Sequence, residues 1–136
     1  MPEELPFHPP GVSGGIGAAV TAGHLLKLNT EQLRHAIGIA GSRAGSILAN
    51  VGSMTKSTHC GNAGAQGLDA AMLARRGFTG NVDVFEAHKG IVASFYGGKF
   101  DSGRFLAFGK PYRIVDPGHA IKMFPSQFAT DRKSVV

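Results

Sequence analysis

What the sequence lacks already removes several classes of protein. Its single cysteine, Cys60, excludes an internal disulfide and is typical of a reducing compartment. The sequence contains no apolar run of about 18 residues, so we expect no transmembrane helix and no membrane partner. The first residues lack the basic-then-apolar layout of a secretory signal. We therefore expect a cytoplasmic protein.

Metal and nucleotide patterns are also scarce. The six histidines form no HxxxH pair and no Cys/His ligand spacing, and one cysteine cannot build a structural zinc site. Gly14-Gly15-Ile16-Gly17 precedes a helical pattern, but it follows no strand and does not complete GxGxxG. These residues therefore give little support for a metal or dinucleotide site.

Positive charge is in excess, with 14 Lys and Arg against 9 Asp and Glu and a net charge of +5. The cations are spread along the chain, and no helix-turn-helix, zinc-finger or aromatic RNA-binding signature accompanies them. A small polyanionic ligand, or simply a basic surface, fits this distribution better than nucleic acid does. A nucleic-acid binder would show steeply salt-dependent binding to DNA, and it is the least supported hypothesis.

Apolar and small residues recur at helical spacing along the first half of the chain, which predicts a mainly α fold. The expected long helices cover residues 14–26, 31–44 and 62–76. Asn29 is the predicted N-cap of the second helix. In the third helix, the residues expected to face the core are Leu68, Ala71 and Met72.

The last third of the chain has weaker patterns. A short helix is predicted over residues 91–96, and a loop over residues 97–109. Alternating residues over 110–115 favour a strand, which is followed by a turn at Pro117-Gly118.

Lys56 and His59 are candidate functional residues that lie only three positions apart in the sequence. They occupy a Gly-, Ser- and Thr-rich segment just before the third predicted helix, and we expect this segment to be a loop. A loop that runs into a helix N-terminus gathers backbone N–H groups and positive charge, which predicts a site for an anion such as a carboxylate. Lys56 is a candidate carboxylate clamp, or a base if desolvation lowers its pKa. The alternative is a solvated loop lysine.

Three further residues each have a functional and a structural interpretation. His8 lies in PFHPPG, where the prolines restrict the backbone, and it is either an acid/base or carboxylate-binding histidine or an exposed histidine in a mobile N-terminus. Lys122 lies in AIKMFPSQ, and it is either held at a site mouth by its apolar neighbours or an ordinary surface lysine. Cys60 is expected to be a small buried thiol and not a nucleophile, because adjacent His59 is badly placed to activate it.

Five segments together resemble the MmgE/PrpD family, and they occur in the family's order. They are FHPPG with a Gly/Ala-rich helix after it, LNTEQLRHAIGIAGSRAGS, GSMTKSTHCGNAGAQGLDAAMLARRGFTG, VFEAHKGIVASF and AIKMFPSQFAT. The segments extend from Phe7 to Thr130, so the resemblance covers nearly the whole chain.

The resemblance implies a large all-helical domain followed by a smaller α+β lid domain, in a homodimer with the active site between domains. Residues 1–110 then form part of the helical domain, and residues 111–136 form the start of the lid. Family members include 2-methylcitrate dehydratase, cis-aconitate decarboxylase and iminodisuccinate epimerase, and they use no metal and no organic cofactor. Their shared chemistry moves a proton next to a carboxylate of a small polycarboxylic acid.

The resemblance also implies site residues. His8 matches an acid/base position, and Lys56 and Lys122 match positions that stabilise negative charge developing on a carboxylate. The substrate-binding candidates are Ser53, His59 and Gln127. Gln127 stands where decarboxylase-like members have a histidine, which argues against simple transfer of the decarboxylase mechanism.

The expected function is therefore that of a lyase or isomerase similar to 2-methylcitrate dehydratase, which binds a small polycarboxylate and dimerises through helical surfaces. Family enzymes are much longer, so we expect this chain alone to be a poor catalyst that a complementing chain would rescue. The alternative is an inactive helical module for protein interaction or carboxylate binding, whose exposed apolar faces would associate.

Overall fold

The protein is mainly helical, as the sequence predicts. The computed structural model describes residues 5–119 and residue 121, and the chain divides into two compact units, Met1–Phe100 and Asp101–Val136. The helices of the first unit are α1 (Pro9–Leu25), α2 (Thr30–Arg43), α3 (Thr55–Arg75) and α4 (Ile91–Tyr96). A single 3₁₀ turn, Leu48–Asn50, lies between α2 and α3, and the second unit contains α5 (Ser102–Leu106). None of these described helices is long and apolar enough to cross a membrane.

Helix α1 begins at Pro9, earlier than the predicted start at residue 14. Its first two positions are prolines, whose fixed φ suits the first helical turn and whose missing N–H has no helical partner there anyway. His8 is the N-cap, with an extended backbone at φ −81° and ψ 108°. The proline pair therefore starts this helix directly behind His8.

Helix α2 matches its prediction to within one residue at each end. Its capping box is complete: the Gln32 N–H donates to Asn29 Oδ1 at 2.9 Å, and the Asn29 N–H donates to Gln32 Oε1 at 3.1 Å. At the other end, Arg43 forms an ion pair with Asp69 of α3. Local capping and one cross-helix ion pair thus position α2.

Helix α3 begins at Thr55, so the loop predicted around Lys56 and His59 is wrong. The segment reads as a loop because its residues are small and polar, but His59 and Ala63 are buried in the packed structure. Burial of one face outweighs the weak helix propensity of this segment. Lys56 and His59 consequently lie in the first two turns of a helix.

The core of the first unit is built almost entirely from alanine. The buried cluster joins α1, α2 and α3 and consists of Ala19, Ala22, Ala36, Ile39, Ala40, Ala70, Ala71 and Ala74. Ala71 faces inward as predicted, but Leu68 and Met72 are 50% and 41% exposed, so their predicted inward orientation is wrong. Close packing of small side chains leaves no room for the large ones, which turn outward.

Gly67 marks the closest approach of α1 and α3. A Cβ atom built on Gly67 meets the Gly15 carbonyl oxygen, the Ala18 Cβ at 2.5 Å and the Ala19 backbone nitrogen at 2.7 Å. Two of these three neighbours are backbone atoms, which cannot move aside without shifting the helix. The spacing of the two helices therefore requires glycine at this position.

The remaining segments give mixed outcomes. Helix α4 has the predicted bounds and ends at Gly97, whose left-handed φ of 55° suits a C-cap. The predicted loop over residues 97–109 contains α5, which Asp101 caps through the Arg104 N–H at 3.1 Å. Residues 110–115 form turns and no strand, because the described residues supply no neighbouring strand to pair with them. The domain boundary predicted after residue 110 stays a prediction.

The contact at Gly67 gives a test of the packing between α1 and α3. We expect Gly67→Ala to lower the free energy of unfolding by about 1–3 kcal/mol, because the added methyl group overpacks the helix crossing. Gly64→Ala is the matched control in the same helix, since its Cβ meets nothing within 4 Å. It should raise stability by about 0.5–1 kcal/mol through helix propensity alone. Urea unfolding measures both, and equal effects of the two substitutions would contradict the packing account.

Candidate active site

The backbone of His8 is held on both sides by hydrogen bonds. Its N–H donates to the Ser46 carbonyl at 2.8 Å, and its own carbonyl accepts from the Gly11 N–H at 2.9 Å. Phe7 and Ile47 form an antiparallel bridge beside it. The chain entering α1 is thus fixed against the segment that follows α2, and the position of the His8 ring depends on both.

Phe7 anchors the same point from the other side. It is buried, and its ring meets the rings of Phe95 and Tyr96 edge-on, with centroid distances of 5.3 and 5.7 Å. Both partners belong to α4. Such edge-to-face contacts each contribute about 0.5–1.5 kcal/mol beyond burial, so α4 helps to hold the residue that precedes His8.

Ser46 and Gly11 fit against each other next to the His8 backbone. Ser46 adopts a φ of +86°, a region that non-glycine residues rarely occupy. A Cβ atom on Gly11 would overlap the Ser46 side chain. Glycine at position 11 is therefore what allows the strained Ser46 backbone to sit over the first turn of α1 and accept the His8 N–H.

The rings of His8 and His59 meet nitrogen to nitrogen. The two Nδ1 atoms are 3.2 Å apart, and the ring planes are tilted by 47° at a centroid distance of 5.3 Å. His59 is only 5% exposed, whereas His8 is half-buried. A hydrogen bond between two Nδ1 atoms needs one N–H and one lone pair, so one proton lies between the rings.

Electrostatics favour the neutral form of His8. Partial burial lowers the pKa of His8 below its ordinary value of 6.5, and electrostatic interaction with Lys56 and then with His59 lowers this pKa further. Lys56 itself is exposed in the first turn of α3. At neutral pH the site therefore combines an uncharged imidazole with a nearby cation.

A polar cleft of about 280 Å³ adjoins His59. The polar residues that line it besides His59 are Arg43, Ser46, Asn50, Thr55, Thr58, Asn62 and Gln66. Arg43 is already paired with Asp69. The cleft thus offers mostly neutral hydroxyl and amide groups next to the buried histidine.

The structure brings together His8, Lys56 and His59, three of the six residues named from the sequence. Ser53 lies in the exposed turn before α3, where its Oγ donates to the Asn50 carbonyl at 2.8 Å. Lys122 and Gln127 lie outside the described residues. Among those residues, no group of three or more His, Cys, Asp or Glu side chains is arranged to hold a metal.

Sequence reasoning missed two features of this region. Cys60 is exposed, so its predicted burial is wrong, because the helix turns His59 inward and its neighbour outward. The pairing of His8 with His59 was also not predicted. No local pattern indicates this contact, because the two histidines lie 51 positions apart in the chain.

Comparison with known proteins gives one family and several relatives. Residues 1–102 match the sequence model of the MmgE/PrpD N-terminal domain. The chain is 43% identical to the cis-aconitate decarboxylase of Homo sapiens over 124 residues, which cover 91% of this chain and 26% of that protein. It is 35% identical to the Mus musculus cis-aconitate decarboxylase over 124 residues, 91% of this chain and 25% of that protein.

A fungal relative is also similar. The Aspergillus terreus cis-aconitate decarboxylase is 34% identical over 93 residues, 68% of this chain and 18% of that protein. The chain spans about a quarter of the length of the two mammalian relatives. Similarity is thus concentrated in one section of each longer protein.

The lowered pKa of His8 gives a second test. Histidine NMR titration of the whole chain should show this pKa below 6.5, and Lys56→Met should raise it, because a cation that opposes protonation is removed. Burial remains in the variant, so the pKa should stay below its ordinary value. Lys27→Met is the control, since Lys27 follows the far end of α1, about 25 Å along the helix axis.

The lowered pKa of His8 also predicts how the free energy of unfolding depends on pH. Well above pH 6.5 His8 is neutral in both the folded and the unfolded state, so its protonation takes nothing from the free energy of unfolding. As the pH falls below 6.5, the unfolded chain gains a proton that folded His8 resists. The free energy of unfolding should therefore fall until the folded pKa is passed, and a His8→Gln variant should lose this part of the slope. A steeper acid loss in the variant would contradict the assignment.

Proposed function

The chain belongs to the MmgE/PrpD family, and from this premise we propose that it carries part of a lyase active site that moves a proton next to a carboxylate. In this proposal His8 is the acid/base group, and Lys56 binds the carboxylate of a small polycarboxylic acid. The observation that supports it most is the position of a neutral, hydrogen-bonded histidine beside an exposed lysine. The residues therefore combine a proton acceptor with a nearby positive charge.

The proposed chemistry begins with proton removal. His8 takes a proton from the carbon next to the carboxylate, and the electron pair of the broken C–H bond spreads onto that carboxylate. Lys56 stabilises the charge as it develops, which lowers the barrier most if the lysine is already in place. In a dehydration, the electron pair then forms the double bond, and the imidazolium of His8 gives its proton to the hydroxyl group on the neighbouring carbon, which leaves as water.

The low pKa of His8 supports the first step. A base must be unprotonated at the working pH, and His8 is neutral at neutral pH because burial and Lys56 disfavour its charged form. Once protonated, the same ring is a good acid, because its environment favours release of the proton. His8 thus suits both directions of proton transfer.

We propose 2-methylcitrate dehydration as the first reaction to test. The resemblance that suggests it includes Gln127, which replaces a histidine of decarboxylase-like members. Cis-aconitate decarboxylation is the second candidate, because the relatives described above carry that name. In that reaction the bond to a carboxylate breaks, CO₂ leaves, and protonated His8 delivers its proton to the carbon that keeps the electron pair.

Lys122, Ser53 and Gln127 remain proposed contributors, with Lys122 as a second carboxylate clamp and the other two as substrate contacts. We also propose a homodimer that forms through helical surfaces. Leu68 and Met72 support this part, because they are large apolar residues exposed on α3. The cytoplasmic location expected from the sequence stays a prediction.

The direct test is proton NMR in D₂O of the purified chain with 2-methylcitrate, citrate, cis-aconitate and related succinates. Because the chain spans about a quarter of the length of its mammalian relatives, we expect only slow deuterium uptake or product formation with at least one acid, and a faster rate when a complementing chain supplies the missing part. His8→Gln should lower the rate by about 10²–10⁴-fold, the usual contribution of a general acid or base. Lys56→Ala should lower it as well, because the developing charge loses its clamp.

Lys27→Ala provides the control for a lysine outside the site, and its rate should equal that of the parent chain. Circular dichroism must show that each variant remains helical. A folded parent chain that changes none of these acids, or activity that survives Lys56→Ala, would contradict the proposal. The first result would favour the alternative of an inactive binding module, which should still bind the acids in a titration.

A further inference from the structure

His59, a substrate-binding candidate from the sequence, has as yet no role in the proton transfer proposed for His8. We propose that His59 is a positioning residue that accepts the Nδ1–H of His8 and thereby leaves the Nε2 lone pair of His8 open to take the substrate proton. This inference rests on the proposed function, because it assigns His59 a role in the same proton transfer. It concerns the direction of one hydrogen bond, which can be measured without substrate.

Geometry limits the pair to two arrangements. The Nδ1 atoms are 3.2 Å apart, so either His8 donates and His59 accepts, or the reverse. If His59 donated, neutral His8 would carry its own proton on Nε2. That nitrogen would then have no lone pair for a proton from substrate, and Nδ1 would already be occupied by the bond to His59.

The opposite arrangement suits a base. If His8 donates from Nδ1, its Nε2 is unprotonated in the neutral ring and can accept a proton. The resulting imidazolium keeps its Nδ1–H directed at the lone pair of His59, so the hydrogen bond survives the reaction and becomes charge-assisted. Only the acceptor role of His59 allows His8 to gain and release a proton without rearranging the pair.

The surroundings explain why a neutral orienting group is suitable here. A carboxylate in the place of His59 would stabilise the imidazolium and raise the pKa of His8. An imidazole fixes the ring through the same hydrogen bond without a negative charge. The charged groups near the pair are Lys56 on the same helix and Arg43 across the cleft, and Arg43 is paired with Asp69. His8 is thus oriented while its proton stays easy to release.

Burial makes His59 a well-defined partner. The ring is 5% exposed and lies in the second turn of α3, where burial restricts its orientation. His8 is equally constrained, because its backbone N–H and carbonyl both form hydrogen bonds. Two fixed backbones therefore hold the two Nδ1 atoms at hydrogen-bonding distance.

The test reads the tautomer of His8 in the whole chain labelled with ¹⁵N-histidine, by long-range ¹H–¹⁵N correlation at slightly alkaline pH. His8→Gln identifies the His8 signals. We expect a protonated Nδ1 and an unprotonated Nε2 in His8. A proton on Nε2 of His8 would overturn the inference, and this measurement needs no variant of His59.

Two substitutions separate orientation from packing. In His59→Asn the amide oxygen takes the place of the accepting nitrogen, so His8 should keep its Nδ1–H tautomer and most of its turnover. In His59→Phe the ring remains but the acceptor is lost, so His8 should shift toward the Nε2–H tautomer. Turnover should then fall by about 10–100-fold, the loss typical of removing the residue that orients a metal-bound histidine through the same kind of hydrogen bond.

His24→Asn is the control, because His24 is exposed near the other end of α1 and should not affect the His8 tautomer. An unchanged tautomer in folded His59→Phe would overturn the inference. If His59→Phe does not fold, the parent chain and His59→Asn still decide the direction of the bond. A parent chain with the expected tautomer but no turnover would refute the lyase proposal and leave the direction of the hydrogen bond established.

Discussion

The close approach of α1 and α3 is the constraint on which the rest of the structure depends. Gly67 sits against the backbone of α1, and the surrounding core is made of alanines. Small side chains bury little apolar area each, so their benefit lies in letting the helices pack at short range. That spacing places the second turn of α3 next to the residue that precedes α1. The contact between His8 and His59 follows from it.

Four segments converge on His8, and each contributes a different kind of interaction. Residues 46–48 pair with the backbone next to His8, and α4 packs against the neighbouring Phe7. Helix α3 supplies His59 and Lys56, and the proline pair starts α1 directly after His8. None of these segments fixes the ring alone. The geometry of the site is therefore a property of the packed unit, and its precision depends on contacts remote from the reacting atoms.

Sequence reasoning found the helices with clear local signals and failed where packing decides. Asn29 and Gln32 mark the start of α2, because the two residues of a capping box lie only three positions apart in the sequence. The start of α3 has no such signal: Thr55 to Gly61 is small and polar, and it becomes helical because His59 and Ala63 are buried. For the same reason His8, Lys56 and His59 were identifiable as separate candidates, but their meeting was not. A contact across 51 positions of the chain has no local pattern.

The convergence of two helix starts has a consequence for the energetics of the fold. His8 is the N-cap residue of α1, and its ring contacts His59 in the second turn of α3. The positive ends of both helix dipoles therefore lie in one region, which also contains Lys56. The repulsion between these positive charges destabilises the region locally, and the packing of the rest of the unit offsets this cost. An anion bound there would relieve it. If the proposed polycarboxylate binds there, its binding and folding are thermodynamically linked, and each tenfold increase of its free concentration above the dissociation constant adds about 1.4 kcal/mol to the stability of the native state.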